Sequence, residues 1–449
     1  MNEAIIAAAR FGYGAGPNGS NAGTNPRQWL KAQLARPARP PALDGLPSSA
    51  EQAVAIFELR KERQQAKQAG ELADAKQEMS PERMEQRQRY LAEIAARLSA
   101  ATDSETPLIE RLSIFWANHF TVSGVRPIVR PLVGSFEREA IRPHVTGKFE
   151  EMVLAVVRHP AMGLYLDNAV SVGPNSRVGA RRDRGLNENL GRELLELHTL
   201  GVDGGYTEED VRALARILTG WSIGRLKDPD PGHFHFYEPI HEPGPKTLLG
   251  HTYPENGEGE GLAAIHDICR HPSTARHIAT KLARHFIADQ PPPGAVEKLA
   301  ASFRESDGDL RHVTETLIDL PEAWSLYQQK VKTPWDLVVS AAVATGSALP
   351  VQQAAGWLNR LGQPVFMAPQ PSGWPDDAAS WVGPEAVLRR VEWCQSFADR
   401  FQDQVDPLML ANYAIGDSLS PDAHQAAERA ESRSAALALL LASPAFQRR

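Results

Sequence analysis

Cysteine is almost absent from this 449-residue chain: Cys269 and Cys394 are the only two, and they fit no Cys-x-x-Cys or zinc-knuckle spacing. That excludes a cysteine-built zinc site, and both thiols are expected reduced or buried. Long apolar runs are missing too. Nothing approaches the ~20 consecutive apolar residues of a membrane helix, so no membrane insertion is expected. Positive charge is not in excess, with 48 Lys+Arg against 55 Asp+Glu and a net charge of −7. The nearest basic cluster, Arg177 to Arg184, contains Asp183 and is soon followed by Glu188 and Glu193. Nucleic acid is therefore not an expected partner. There is no His-Glu-x-x-His, and the one Glu-x-x-His, Glu238 to His241, contains Pro239 and does not suit a helix. Zinc and di-iron sites are accordingly not expected. The N-terminus has no basic leader or small-residue cleavage pattern, and the location expected from the chain as written is cytoplasmic.

What is present points to a mainly α-helical protein, a single extended multi-helix domain over 1–449. Ala4 to Asn25 reads as a short helix leading into Arg10-Phe-Gly-Tyr-Gly-Ala-Gly-Pro17, a glycine-rich turn. No strand precedes those glycines and no capped helix follows them directly, so a phosphate cradle is disfavoured. Residues 50–101 are rich in Glu, Gln, Lys, Arg and Ala, which predicts long solvated helices broken near Gly70 and Ser80-Pro81. Leu108, Leu112, Phe115, Trp116 and Phe120 recur mostly at intervals of three and four, the pattern of a buried helix. A second apolar stripe, Phe149, Met152, Val153, Val156 and Val157, stops at His159-Pro160. Residues 169–186 and 227–261 read as irregular loops. The alternation His233-Phe-His-Phe-Tyr237 adds a small hairpin or short strands around 230–255.

One segment separates cleanly by chemistry. Placed on a wheel at ~100° per residue, Asn187 to His198 puts Leu190, Leu194, Leu195 and Leu197 on one side, with Gly191 and His198 near its middle. Glu188, Asn189, Arg192, Glu193 and Glu196 fall on the other. Such a strip is either a wet surface with an ordinary Glu188–Arg192 pair or the lining of a cleft. In a cleft, Glu193 and Glu196 can act as general acid and base or share a divalent cation, while Arg192 positions a polar or anionic group. His198, on the apolar side, is either a satisfied core histidine or a catalytic one. Beyond it, Thr207 followed by Asp210 predicts a capping box opening a helix from Glu208 to Leu218.

Several motifs, in order, resemble those of the bacterial domain of unknown function 1800 family (DUF1800). They are Phe115-Trp-Ala-Asn-His-Phe120, Arg158-His-Pro-Ala-Met162 with Tyr165-Leu-Asp-Asn168, Leu186 through Gly201, and Thr219-Gly-Trp221. The similarity continues through His241, Lys246, Lys332-Thr-Pro334, Leu361-Gly-Gln-Pro364, Pro371-Ser-Gly-Trp-Pro375 and Trp381. The resemblance implies kinship without a reaction, because that family is named for lacking an assigned activity. Many of its members look exported and lie near genes for sulfatase-like proteins. This implies work on envelope material or extracellular polymers, and makes a periplasmic or exported location the alternative here.

Since the polar strip lies in the family's most distinctive motif, the cleft reading is preferred. The catalytic candidates are Glu193, Glu196, Glu188 and His198. Asn189, Arg192, His119, His159, Asp167, Asn168, Trp221, His241 and Lys246 are candidate substrate contacts. The expected activity is that of a hydrolase on a polar polymer such as a glycan. The alternative is a non-catalytic binding or assembly protein of the cell envelope, with a protein partner on the same helix face.

Overall fold

A computed structural model describes residues 3–19, 22–35, 40–68, 81–182, 185–325 and 328–449. Helices dominate it, and two small antiparallel ribbons are the sheet structure among the described residues. The charged region forms α1 (Ser49–Gln68) and α2 (Pro81–Thr102). The outer half of α1 lies in solvent, as its composition requires. The expected break at Gly70 to Ser80 lies outside the described residues, and Pro81 opens α2.

The buried stripe forms α3 (Pro107–His119), started by Pro107 at its first turn, where a missing N–H costs nothing. Leu108, Ile109 and Leu112 are fully inaccessible. The second stripe forms α4 (Phe149–Arg158), which stops where Pro160 forbids continuation. α5 (Asn189–Glu193) runs straight into a π-helical turn at Leu194–His198, and α6 (Glu208–Ile217) follows with the expected Thr207/Asp210 capping box. Further on come α7 (Glu258–Arg270), α8 (Pro272–Phe286), α9 (Pro334–Thr345), α10 (Val351–Arg360), α11 (Pro384–Phe401) and α12 (Arg433–Ala442). Two large apolar cores result. One gathers α3, α4, α6, α7 and α8, and the other gathers α9 to α12 with Ile94 and Leu98 of α2.

The aromatic alternation at His233 to Tyr237 does form a strand, but its partner precedes it. β1 (Trp221–Ile223) pairs with β2 (Phe234–Phe236) in the register Trp221 to Phe236, and β3 (Lys246–Leu248) pairs with β4 (His251–Tyr253). Two ribbons thus stand where one hairpin or a few strands were expected, the first starting upstream of residue 230. Trp221 fixes the first. Its ring packs so close to Gly261 of α7 that a Cβ there would sit 2.4 Å from Cζ2.

Gly261→Ala is therefore expected to destabilise the protein by ~1–3 kcal/mol, the usual cost of overpacking a closed site. Urea unfolding measures it; an unchanged midpoint would mean that the ring has room to retreat.

Candidate functional site

The polar strip keeps its two faces despite the π turn, in which each backbone bond spans five residues rather than four. Leu190, Leu194, Leu195 and His198 are buried, Glu188, Arg192, Glu193 and Glu196 are half-buried, as is Leu197 of the apolar side, and Asn189 is exposed. The outer part of the strip is an ion-pair lattice with α6. Arg192 forks onto Glu208 with both bonds at 2.7 Å, and Glu188 lies 3.5 Å from Arg192 and 3.3 Å from Arg212. Solvent screens these pairs, so each contributes little to stability.

Glu193 differs. It lines a hollow with Asn189, Arg126, Tyr165, Pro369 and Pro371. Burial and the neighbouring Glu196 charge push its carboxyl above the usual range, and Arg192 only partly offsets them. Across the hollow, burial and Glu193 hold the Tyr165 hydroxyl up at about 12. Arg126 also faces the hollow, anchored by Asp167 at 2.8 and 3.1 Å. Glu196 instead lies beside Tyr206, whose hydroxyl burial and the Glu196 charge push up to about 12.

Beneath the strip lies a histidine cluster. His119 Nε2 donates to the His198 carbonyl at 3.0 Å, and His277 Nε2 donates to the Leu197 carbonyl at 2.9 Å. Neither ring nitrogen of His198 has a hydrogen-bond partner among the described residues. Burial, with Lys281 and His277 adding repulsion, pushes His198 down to about 3.

The other expected contacts lie apart from the Glu193 hollow. His159 caps the short helix Pro160–Tyr165 by accepting from the Ala161 amide. Asn168 is buried and donates to the carbonyls of Leu218 and Trp221. Trp221 is 2% exposed, beneath the Arg158 guanidinium and against Phe234. His241 and Lys246 share the buried carboxylate of Glu260, at 3.4 and 2.8 Å.

Sequence reasoning missed a second hollow, a cavity between the two apolar cores. Asn118 builds its rim. Its side-chain oxygen accepts from the Trp374 amide at 2.7 Å, and its Nδ2 donates to the Trp374 carbonyl at 2.9 Å. The chain reaches this clamp only because residue 373 is glycine, with φ at +81° and the place of a Cβ 2.4 Å from the Asn118 carbonyl.

At the cavity wall, His285 Nδ1 donates to Asp376 at 2.7 Å. Asp376 also receives Lys330 at 3.3 Å, and Lys330 pairs in turn with Asp289. Burial lowers His285 to about 4 against the pull of Asp376. Burial works against ionisation of Asp376, but His285 and Lys330 outweigh it and hold the carboxyl far below its usual range. The available signal was helical spacing: His277, Lys281 and His285 recur every four residues, along one face of α8.

Among the described residues, no group of three or more His, Cys, Asp or Glu side chains is arranged to hold a metal ion. No helix among them is long and apolar enough to cross a membrane. Residues 6–448 match the family described as protein of unknown function (DUF1800), and the chain belongs to that family. Comparison with curated proteins and with solved structures finds no match.

His198 supplies a pH test. Above pH ~6.5 its ring is neutral whether the chain is folded or not. Below that, the unfolded chain takes up a proton that the folded one refuses down to about 3, so stability falls with pH. His198→Leu should make the fall between pH 5.5 and 4.5 shallower by up to ~1.4 kcal/mol per pH unit. Denaturant titrations at several pH values measure the slope; parallel curves for both proteins would show that the ring is protonated in the fold.

Proposed function

We propose that this member of the DUF1800 family is a hydrolase-type enzyme acting on a polar polymer such as a glycan, with Glu193 and Glu196 as its paired carboxyls. The observation that carries the reading is their unequal surroundings. Glu193 sits half-buried in a hollow, next to a second negative charge, and is held in the protonated direction. Glu196 lies outside that hollow, beside Tyr206 and Arg192. A carboxyl that keeps its proton donates it to the departing oxygen of a glycosidic bond. A carboxylate opposite it activates water or attacks the sugar carbon.

Arg126, Tyr165 and Asn189 give the hollow donors and acceptors suited to sugar hydroxyls. Asp167 acts one step removed, by fixing the Arg126 guanidinium. Arg192 is committed to Glu208, so its part is electrostatic rather than a direct grip on substrate.

A second reading, a binding or assembly protein of the cell envelope, is favoured by the outer lattice of Glu188, Arg192, Glu208 and Arg212. That lattice presents charge to solvent around the exposed Asn189.

Reducing-end release from a panel of soluble neutral and acidic polysaccharides separates the two. The enzyme reading expects release by the wild-type chain and a loss of ~10²- to 10⁴-fold in Glu193→Gln, the range for a general acid, with the thermal midpoint unchanged. Full activity in that variant would remove Glu193 from the chemistry, and binding without release would favour the assembly reading.

A further inference from the structure

The basic stretch 177–184 has no part in the Glu193 reading, and it carries an inference of its own. Four of its residues are arginine and one is aspartate. Two of those arginines, Arg177 and Arg181, line a hollow of about 370 Å³ together with Arg225, Val178, Tyr237, Pro239 and Ile240. We propose that this hollow binds a small phosphate monoester, with the phosphate between the three guanidinium groups and the organic body against the apolar wall.

Three observations support this. The first is the convergence of unneutralised charge. Arg177, Arg181 and Arg225 are all exposed, and among the described residues none of their guanidinium groups has an ion pair or a hydrogen bond. Arg225 lies over the Tyr237 ring at 4.6 Å, a contact that leaves the N–H edges of its fork open. Like charges gathered around one space repel each other, and an anion that enters it relieves the repulsion.

The second is the framework beneath them. Glu242 accepts from the Asn175 amide at 2.9 Å and from Asn175 Nδ2 at 2.6 Å. The Gly173 amide donates to the Ile240 carbonyl at 2.9 Å, and the Val178 amide to the Pro239 carbonyl at 3.2 Å. Gly179 leaves no room for a Cβ beside the Gly173 carbonyl. The backbone that carries Arg177 and Arg181 is thus fixed against the wall that faces them, which lowers the ordering cost of binding.

The third is that the carboxylate at this corner is already taken. Asp228 accepts from the Tyr237 hydroxyl and, at 2.7 Å, from the Arg225 amide. Burial and Asp228 hold the Tyr237 hydroxyl up at about 12, so it stays neutral beside an anion. A phosphate monoester suits the three arginines because it brings about −1.5 to −2 charge and three strong acceptor oxygens, which guanidinium forks match in shape. Val178, Pro239 and Ile240 give the esterified part an apolar surface to lie on.

The test titrates the full chain by calorimetry, at low salt and about pH 8, with phenyl phosphate, phenyl sulfate and phenol, which share a ring and differ in charge. Phenyl phosphate should bind about tenfold more tightly than the singly charged sulfate, and phenol should not bind detectably. Arg177→Gln and Arg181→Gln should each weaken phenyl phosphate about tenfold with the thermal midpoint unchanged. Arg360→Gln, at an exposed arginine of α10 outside the hollow, should leave its affinity as it was. In the wild-type protein, phenyl phosphate should shift the Nε–Hε resonances of Arg177, Arg181 and Arg225, a readout that needs no variant to fold. Glu193→Gln should bind phenyl phosphate as the wild type does, so failure of the glycan reading and failure of this one are distinguishable. Equal affinity for the phosphate and the sulfate, no loss in either hollow variant, an equal loss in Arg360→Gln, or arginine resonances that the titration leaves in place would each overturn the proposal.

Discussion

Glu110 and Arg111 are consecutive residues of α3, and both are almost completely buried. An isolated charge in that position would cost several kcal/mol, so each must meet its countercharge inside the protein. They face opposite ways. Glu110 takes Arg142, which also holds Glu137, and Glu137 takes Arg97 from α2. Arg111 donates to the Gly12 carbonyl and to Asp336 of α9, whose second oxygen meets Arg449. Burial alone would raise Asp336, but the two guanidinium groups prevail and hold it at about 2. One helix thus ties the first apolar core to the second. Removing one partner of such a pair typically costs ~3–5 kcal/mol, more than most single apolar contacts supply.

The cavity follows from that arrangement. Charges that must meet between two cores keep the apolar surfaces from closing completely, and the remaining space is lined by Arg97, Glu137 and Asp336 on one side and by aromatic rings on the other. The glycine-rich turn after Arg10 belongs to the same network. Its carbonyl at Gly12 receives Arg111, and Arg10 is buried with a bond to the Ala323 carbonyl. Gly12 also admits the close approach of Pro107, whose Cβ would lie 2.9 Å from a side chain there, and Gly14 takes a φ of +109°.

Legibility in the sequence divided along physical lines. Periodic patterns were readable because burial has the period of the helix: α3 and α4 stand where their stripes placed them, and the Thr207 box opens α6 as expected. The two faces of Asn187 to His198 were readable for the same reason, although the π turn was not, since nothing in Leu-Leu-Glu-Leu-His announces a five-residue bond. Contacts distant in the chain were silent. Asn118 and Trp374 are separated by 256 positions, and His285 and Asp376 by 91. Asn118 and Trp374 both lay in motifs noted for their resemblance, but no local pattern says which distant residue a side chain will meet. Asn168 illustrates the converse: its place in a motif suggested a ligand contact, and its amide is spent on two backbone carbonyls.

The two hollows also share a wall. Pro369 and Pro371 border the space in front of Glu193, while Trp374 and Pro375 border the cavity at His285. This stretch is held at both ends by α3 and the residues after it. The Gly124 amide donates to the Phe366 carbonyl at 2.8 Å, and Asn118 clamps Trp374. Three hydrogen bonds and a glycine that admits no side chain leave such a wall little freedom to slide without breaking its anchors together. The Phe115 to Phe120 and Pro371 to Pro375 motifs therefore belong together physically: one supplies the clamp, and the other supplies the backbone that only glycine lets into it.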